Sequence, residues 1–248
     1  MNDVSVEKLT KQPVPAADSI DLWWLPYAAS GEANPLHLNA LSPAELARAA
    51  RYKVEQVQRA FIYFRWAMRA CLASYAGISP QEVPLGVGEF GKPFWVHAVN
   101  GVRLEFNLSH NSTCGLLAVS NAGEVGVDIE CIEPHVNYAL LTREVLSSAE
   151  YNEFDTLPPS LQPEFLLQAW TCKEAFLKAQ AIGLALPLRD VTINRGTHGA
   201  CVVECAGVVK DEFPWRLKSW SPHVGTFAAV AYRGTKRRIN EKSIAVKS

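Results

Sequence analysis

At positions 125–130 the chain reads Val125-Gly126-Val127-Asp128-Ile129-Glu130, in which apolar and acidic residues alternate towards the end. A two-residue period predicts a β-strand. Asp128 and Glu130 then lie on one face of the strand, and the valine and isoleucine beside them lie on the other. Two neighbouring carboxylates repel each other, and a hard cation between them relieves that repulsion. The stretch therefore predicts either a cation site or an ordinary solvated strand face.

The elements predicted on the two sides of this strand follow a similar order of a strand, helices and further strands. That order indicates an α+β fold with two halves of similar plan, although the halves share no visible sequence repeat. The seam is expected near Asn121-Ala122-Gly123. The predicted division is an N-terminal half at residues 1–122, a C-terminal half at residues 123–235, and a basic tail at residues 236–248. The chain is expected to fray from Arg233 onwards.

The clearest local signal is the start of a helix at Ser42. Ser42 as N-cap, Pro43 in the first turn and Glu45 three residues after the cap form a capping box. The helix that follows carries Arg48 and Arg51. Further helices are predicted at 55–75, ended by a glycine at position 77, and at 138–145, 147–154 (with Ser148 as its cap) and 163–182. The other predicted strands are 20–27, 94–96, 102–107, 115–120, 191–193, 200–205, 215–219 and 227–232.

The long helix predicted from about Pro163 to Ile182 contains a second group of charged residues. Glu174 and Lys178 are one helical turn apart, so their side chains are neighbours. Trp170 lies one turn before Glu174 on the same face. A charged pair next to a large aromatic residue favours the wall of a cleft, whereas the simpler alternative is an exposed ion pair.

The composition limits the classes of function. The chain has 248 residues, 48% of them apolar, and a formal net charge of −1. A nearly neutral chain has no overall field for nucleic acid, so any anion site must be local. The six cysteines include no C-x-x-C pair, which favours reduced thiols. The N-terminus lacks an apolar leader and no stretch is long enough to cross a membrane, so a cytoplasmic protein is expected.

Phosphate-binding candidates occur in both halves. Ser109 and His110 belong to the stretch 106–111, which ends an alternating strand with a short polar cluster, and small polar groups and an imidazole can hold a phosphate there. Lys92 lies in a Gly-Lys-Pro turn that presents one ammonium group. Lysine and arginine bind phosphates through charge-assisted hydrogen bonds if the fold gathers them. The other candidates are Arg48, Arg51, Arg59, Lys173 and Lys178, whereas a solvated helix face is the simpler expectation for Arg65 or Arg69.

Four motifs in this order resemble the phosphopantetheinyl transferase superfamily. They are Gly91-Lys92-Pro93, the FNLSH of residues 106–110, the GVDIE of residues 126–130, and the W-x-x-K-E-A-x-x-K of residues 170–178. The Leu41-Ser42-Pro43 helix start and the Arg51-Tyr52 pair are also similar. The match covers about residues 41–188 and is closest to the larger, Sfp-type members, which carry two halves in one chain. The resemblance implies their fold, with the halves related by a pseudo-twofold axis, and a monomer.

The resemblance also implies a reaction and its residues. The 4′-phosphopantetheine group of coenzyme A would pass to a serine of an acyl or peptidyl carrier protein, with 3′,5′-adenosine diphosphate as the other product. Mg²⁺ would be bound by Asp128, Glu130 and Glu174. Lys178 would neutralise charge on the transferred phosphate, and Glu174 could act as general base. Further contacts to coenzyme A are expected from Lys92, Ser109, His110, Arg48, Arg51 and Arg59.

Two residues depart from the family pattern. Asn111 stands where the family usually has a serine, and Glu45 lies near a position where some members have a lysine.

Two other functions are weighed against the transferase. The first alternative is a carrier-binding module without catalysis. The second is a metal-dependent phosphohydrolase that uses the same carboxylates on another diphosphate.

Overall fold

The computed structural model describes residues 9–28, 34–133, 136–181, 186–195, 200–205 and 215–244. The helices are α1 (Pro35–Asn39), α2 (Pro43–Ala49), α3 (Glu55–Ala76), α4 (Tyr138–Val145), α5 (Ser148–Asp155) and α6 (Gln162–Gln180). The strands are β1 (Ser19–Pro26), β2 (Leu85–Val87), β3 (Pro93–Trp95), β4 (Glu105–His110), β5 (Cys114–Ser120), β6 (Val125–Cys131), β7 (Val191–Arg195), β8 (Ala200–Cys205), β9 (Trp215–His223), β10 (Thr226–Arg233) and β11 (Arg238–Ser243).

The longer strands form two sheets. The first has the order β11-β1-β5-β4, and the second has the order β6-β10-β9-β8-β7. Strands β1 and β11 are parallel, and the other neighbours within these sheets are antiparallel. Strands β2 and β3 form a separate hairpin. The α+β class that the sequence predicts is therefore confirmed.

The two sheets pack face to face, and a helix covers the outer face of each. On β5, Leu117 and Val119 belong to the same buried cluster as α3, whereas Leu116 and Ala118 pack with residues of the second sheet. On β10, Ala229 packs with α6. The layers are therefore helix, sheet, sheet and helix, and each half has a helix-on-sheet plan. The pseudo-twofold axis itself stays a prediction.

A close approach of α6 to β6 fixes the geometry near the acidic residues. An added Cβ on Gly126 would lie 2.0 Å from the carbonyl oxygen of Ala175 and 2.4 Å from the amide nitrogen of Ala179. Only glycine allows the helix backbone to lie directly on the strand there. Asp128 and Glu130 share this strand face with Gly126 because they follow it at two-residue intervals. The acidic face of β6 is therefore turned towards α6.

Strand β6 is also linked to the first half. Its free edge runs beside β4, where the side-chain oxygen of Asn107 accepts a hydrogen bond of 2.9 Å from the backbone amide of Val127. This bond satisfies a buried amide that has no strand partner on that side. Residues of β4 are thereby held next to the acidic face of β6.

Several predicted helix ends agree with the structure, but α2 ends at Ala49, so Arg51 lies beyond the helix that was predicted to carry it. The Ser42–Glu45 capping box is present, and Gly77 ends α3 with a φ of 71°. The prediction of Ser148 as the cap of α5 is wrong, because Ser147 is the N-cap and forms a capping box with Glu150. The long helix ends at Gln180, and residue 182, its predicted end, lies outside the described residues.

The frayed C-terminal tail predicted from Arg233 is wrong for the described residues. Residues 238–243 form β11, which pairs along β1 in the first sheet. Lys242 places its Nζ 2.7 Å from Oδ2 of Asp21, a carboxylate that is 3% exposed. A basic strand is stable here because it meets a buried acid. Among the described residues, no helix is both long and apolar enough to cross a membrane.

Candidate active site

Asp128 is the centre of a polar cluster built from three elements. Its side chain is 1% exposed, and Oδ1 accepts hydrogen bonds from Lys178 Nζ at 2.6 Å and from Ser109 Oγ at 2.7 Å. Lys178 Nζ also donates to Ser109 Oγ at 3.0 Å. These residues come from β6, α6 and β4, so both halves contribute to one site. Among the described residues, the second oxygen of Asp128, Oδ2, has no hydrogen-bond partner.

Two more carboxylates add negative charge around Asp128. Burial and then the charge of Asp128 raise the pKa of Glu130 to about 7, although Lys178 opposes the change. Burial raises the pKa of Glu174, with Lys178 again opposing and Asp128 adding to the rise. The pKa of Lys178 is also raised: burial acts to lower it, but the attraction of Asp128 and the two glutamates outweighs burial. Lys178 therefore serves as counter-ion to three acids.

The acids do not form a preassembled metal centre. Within the part of the chain that the structure describes, no three His, Cys, Asp or Glu side chains are grouped closely enough to hold a metal. The physical reason is that like charges separate and that Asp128 is paired with Lys178. Even so, three facing carboxylates and the unpartnered oxygen of Asp128 are a donor set that suits Mg²⁺, which takes oxygen ligands. The residues present fit such an ion.

His110 lies at the end of β4, and an aromatic side chain fixes its ring. The imidazole stacks on Phe64 of α3, with 4.2 Å between ring centroids and 11° between planes. An added Cβ on Gly115, the strand partner of His110, would lie 2.7 Å from Phe64, so glycine leaves room for that ring. Burial lowers the pKa of His110, and the charges of Lys178 and Arg65 lower it further. The neutral ring can donate or accept one hydrogen bond to a ligand.

Lys92, a predicted contact to coenzyme A, is hydrogen-bonded within the protein in this structure. Its Nζ donates to three backbone oxygens, those of Lys178 at 2.8 Å, Val125 at 3.1 Å and Ala179 at 3.4 Å. An ammonium group has three N–H donors, and all three are used within the protein. The predicted contact between Lys92 and the nucleotide of coenzyme A stays a prediction.

Lys173, another predicted ligand contact, is also paired within the protein. Its side chain is 0% exposed, forms an ion pair with Glu150 and donates to the carbonyl oxygen of Val145 at 2.6 Å. Successive side chains of a helix point about 100° apart, so Lys173 points away from Glu174 and towards α4 and α5. Sequence spacing alone does not show which lysine of α6 faces the cleft.

The arginines predicted to bind phosphate lie on the first half. Arg48 and Arg51 are exposed, and Arg59 forms an ion pair of 3.1 Å with Glu55. The guanidinium of Arg48 lies 5.3 Å from the centre of the Phe61 ring, and that of Arg65 lies 5.4 Å from the same ring. The binding of these arginines to coenzyme A stays a prediction.

Two arginines that the sequence assigns to solvated faces have other environments. Arg65 is half-buried and close enough to His110 to lower its pKa. Arg69 is 4% exposed and pairs with Glu45 at 2.8 Å, while it also donates to the backbone oxygens of Pro80 and Val83. Glu45 therefore has a structural role, as cap and as ion-pair partner. Arg65 directly follows Phe64, the residue that stacks on His110, and this adjacency is the sequence signal that could have placed Arg65 near His110.

Comparison with known proteins shows the family. The 4′-phosphopantetheinyl transferase superfamily pattern matches residues 124–232, and the N-terminal pattern of a 4′-phosphopantetheinyl transferase matches residues 24–122. A putative 4′-phosphopantetheinyl transferase of Synechocystis is 33% identical over 72% of this chain and 71% of its own. The 4′-phosphopantetheinyl transferase HetI of Nostoc is 29% identical over 88% of this chain and 89% of its own. The chain belongs to the 4′-phosphopantetheinyl transferase superfamily, as the motifs predict.

The likeness to solved structures is slighter. The holo-(acyl-carrier-protein) synthase from Bacillus anthracis, whose structure contains coenzyme A (3′,5′-ADP), is 20% identical and covers 45% of this chain and 96% of its own, with a TM-score of 0.38. An agreement of this size carries no argument about the fold. The family assignment rests on the sequence relatives.

Proposed function

We propose that this chain transfers the 4′-phosphopantetheine group of coenzyme A to a serine hydroxyl of an acyl or peptidyl carrier protein. The observation that supports it most directly is the cluster at Asp128, where a buried carboxylate is bound by Lys178 and Ser109 and faces two further acids. Family membership gives the reaction class. The finer assignment, a holo-acyl-carrier-protein synthase of the Sfp type, is part of the proposal.

The reaction is a phosphoryl-type displacement. The serine oxygen of the carrier attacks the β-phosphorus of coenzyme A, and the bond between that phosphorus and the bridging oxygen breaks. The serine proton passes to a base, and 3′,5′-adenosine diphosphate leaves. Such reactions depend on positioning and on electrostatic stabilisation of the phosphate oxygens. The enzyme therefore needs fixed positive charge at the pyrophosphate and a base at the serine.

Three carboxylates would hold Mg²⁺ in this proposal: Asp128, Glu130 and Glu174. When bound, the ion would neutralise negative charge on the pyrophosphate. The unpartnered oxygen of Asp128 and the raised pKa values of the two glutamates are the features of this chain that suit a divalent cation. Burial is the main cause of both raised pKa values, and the charge of Asp128 raises them further.

The remaining residues position and neutralise the substrate. Lys178 would release Asp128 and neutralise the transferred phosphate. Glu174, one turn away on α6, would accept the serine proton, and its raised pKa makes it a better base near neutral pH. Ser109 and His110 would bind the nucleotide end of coenzyme A, with Arg48, Arg51 and Arg59 as further phosphate contacts.

Two further statements belong to the same proposal. A monomer is expected because both halves build one site within a single chain. A cytoplasmic location is expected because coenzyme A and apo carrier proteins are both available there. Size-exclusion chromatography with light scattering would test the first, and fractionation of the source cells would test the second.

The proposal is tested by incubating the chain with coenzyme A, Mg²⁺ and a panel of apo carrier proteins. Intact-mass spectrometry should show the mass increase of one phosphopantetheine group on at least one carrier. The Asp128→Asn variant should reduce kcat/KM by about 100-fold or more, because a preorganised charge is lost. Asp155→Asn, a change at an exposed acid of α5, is the matched control and should retain activity.

The two alternatives give different outcomes in the same experiment. Release of 3′,5′-adenosine diphosphate without any carrier would indicate a phosphohydrolase. If calorimetry shows that a carrier protein binds, but no carrier of the panel gains mass, the chain is a carrier-binding module. Either outcome would replace the proposed transferase activity.

A further inference from the structure

The Gly-Lys-Pro turn carries a lysine that reaches from the first half into the second. Gly91 has a φ of 81°, in the left-handed region that favours glycine, and its amide bonds to the Gly88 carbonyl at 2.9 Å. The amide of Gly88 in turn bonds to the Lys92 carbonyl at 2.9 Å. Pro93 restricts the backbone after Lys92. The turn is therefore stiff, and it directs the Lys92 side chain towards α6.

The three oxygens that Lys92 binds belong to the two elements that carry the acidic site. Those of Lys178 and Ala179 are in the last turn of α6, where carbonyl groups lack the i+4 amide partners of the helix interior; that of Lys178 also accepts from the cap amide of Ala181 at 3.3 Å. That of Val125 begins β6. A cation at a helix C-terminus is also favoured by the helix dipole. Lys92 thus joins the start of β6 to the end of α6.

The place where Lys92 binds bears directly on the position of Lys178. Lys92 holds the backbone oxygen of Lys178, and the Lys178 ammonium lies 2.6 Å from Asp128. Gly126, the next residue of β6 after Val125, lies against the backbone of Ala175 and Ala179 so closely that an added Cβ would clash there. Lys92 adds a second fixed point at the helix end. Together the two points define the register of Lys178 against Asp128.

We propose that Lys92 is a positioning residue, which acts through the last turn of α6 to hold Lys178 in place, and is not a ligand of coenzyme A. The inference rests on the proposed transferase function for its kinetic consequences. A direct phosphate contact would require Lys92 to give up hydrogen bonds to backbone oxygens in a partly buried place. Burial lowers the pKa of Lys92, and nearby Glu105 and Glu124 oppose that change.

The kinetic test uses Lys92→Met, which keeps the apolar stem and removes the ammonium group. We expect kcat to fall by about 10- to 100-fold, because a small misplacement of a reacting group is costly. The KM for coenzyme A should change less than threefold. Lys92→Arg keeps a cationic donor and should recover part of the lost kcat. A rise in the KM for coenzyme A with kcat unchanged would overturn the inference in favour of direct binding.

A double-mutant cycle separates positioning of Lys178 from a general loss of stability. If Lys92 acts through Lys178, Lys92→Met should lower kcat by less than threefold in a Lys178→Ala background. Equal effects in both backgrounds would contradict the inference. Lys242→Met is the matched control, since it removes another ion-paired lysine but lies away from α6. This control should lower stability and leave kcat of the folded protein unchanged.

Hydrogen exchange tests the same inference without any turnover. In Lys92→Met, amides of residues 176–181 should exchange at least tenfold faster than in the wild type, whereas amides in the middle of α3 should not change. Unchanged protection at 176–181 would overturn the inference. If the wild type transfers no phosphopantetheine, the proposed function fails, and the exchange experiment still decides the role of Lys92.

Discussion

Three lysines that the sequence predicts to contact coenzyme A have three different environments. Lys178 forms an ion pair with Asp128, Lys173 is buried against Glu150, and Lys92 binds backbone oxygens. The side-chain type is the same, so neither composition nor spacing predicts these differences. They depend on which acids and carbonyls the folded chain places within reach of each ammonium group. Of the three, Lys178 is the one whose ammonium group lies beside Asp128.

His37 provides a test at the residue scale. Its side chain is 8% exposed, its ring lies 4.1 Å from that of Trp66, and burial lowers its pKa to about 4. The unfolded chain binds a proton near pH 6.5, whereas the folded chain keeps this ring neutral down to about pH 4. The contribution of the neutral His37 ring to the free energy of unfolding is therefore fully present above pH 6.5 and is lost as the pH falls towards 4.

We expect the free energy of unfolding of the wild type to fall by about 2 kcal/mol more than that of His37→Phe between pH 7 and pH 5. Urea unfolding at the two pH values would measure this difference. His97→Gln, a change at an exposed histidine, should follow the wild type. The same pH dependence in wild type and His37→Phe would show that His37 does not carry this effect.

At the scale of elements, local chemistry predicted many of the boundaries. The capping box at Ser42 and the glycine at position 77 were found where the sequence predicts them, because short-range hydrogen bonds and backbone freedom determine both. Strand β4 lies three residues later in the chain than predicted: it spans residues 105–110, whereas the prediction was 102–107. An alternating pattern does not fix where pairing begins, since the partner strand decides it. This shift places Ser109 and His110 within the strand.

The packing of α6 on β6 gives the prediction at this scale. Gly126→Ala would place a Cβ against backbone atoms of Ala175 and Ala179, which cannot rotate away. We expect a loss of about 1–3 kcal/mol in the free energy of unfolding, together with a lower kcat, because α6 carries Lys178. Gly88→Ala, where an added Cβ meets its nearest atom at 3.4 Å, is the control. Unchanged stability in Gly126→Ala would contradict the close contact.

At the scale of the whole molecule, the last described strand of the chain pairs with the first. Strand β11 closes the first sheet by pairing with β1, and the buried Asp21 accepts hydrogen bonds from Tyr75 at 2.7 Å and Asn240 at 3.0 Å. Lys242 completes the group. The C-terminal segment thus stabilises the half that also carries Ser109 and His110. The fold is held together by contacts between distant parts of the sequence.

We expect Lys242→Met to lower the free energy of unfolding by about 3 kcal/mol, because the buried carboxylate of Asp21 loses its cation. The double variant with Asp21→Asn should recover part of that loss, since no unpaired charge remains. Lys236→Met, at an exposed lysine, should have little effect. Urea unfolding measures all four proteins. Equal stability of Lys242→Met and the wild type would show that the pair contributes nothing.

The sequence by itself determined the α+β class, the caps, the alternation that places Asp128 and Glu130 on one face, and the motifs that indicate the family. These features depend on residues that are close together along the chain, or on a pattern shared with relatives. Only the tertiary structure decided that Asp128 meets Lys178 and Ser109, that Lys92 and Lys173 are engaged within the protein, and that the tail is a strand. Each of these depends on contacts between residues far apart in sequence, which local spacing does not encode.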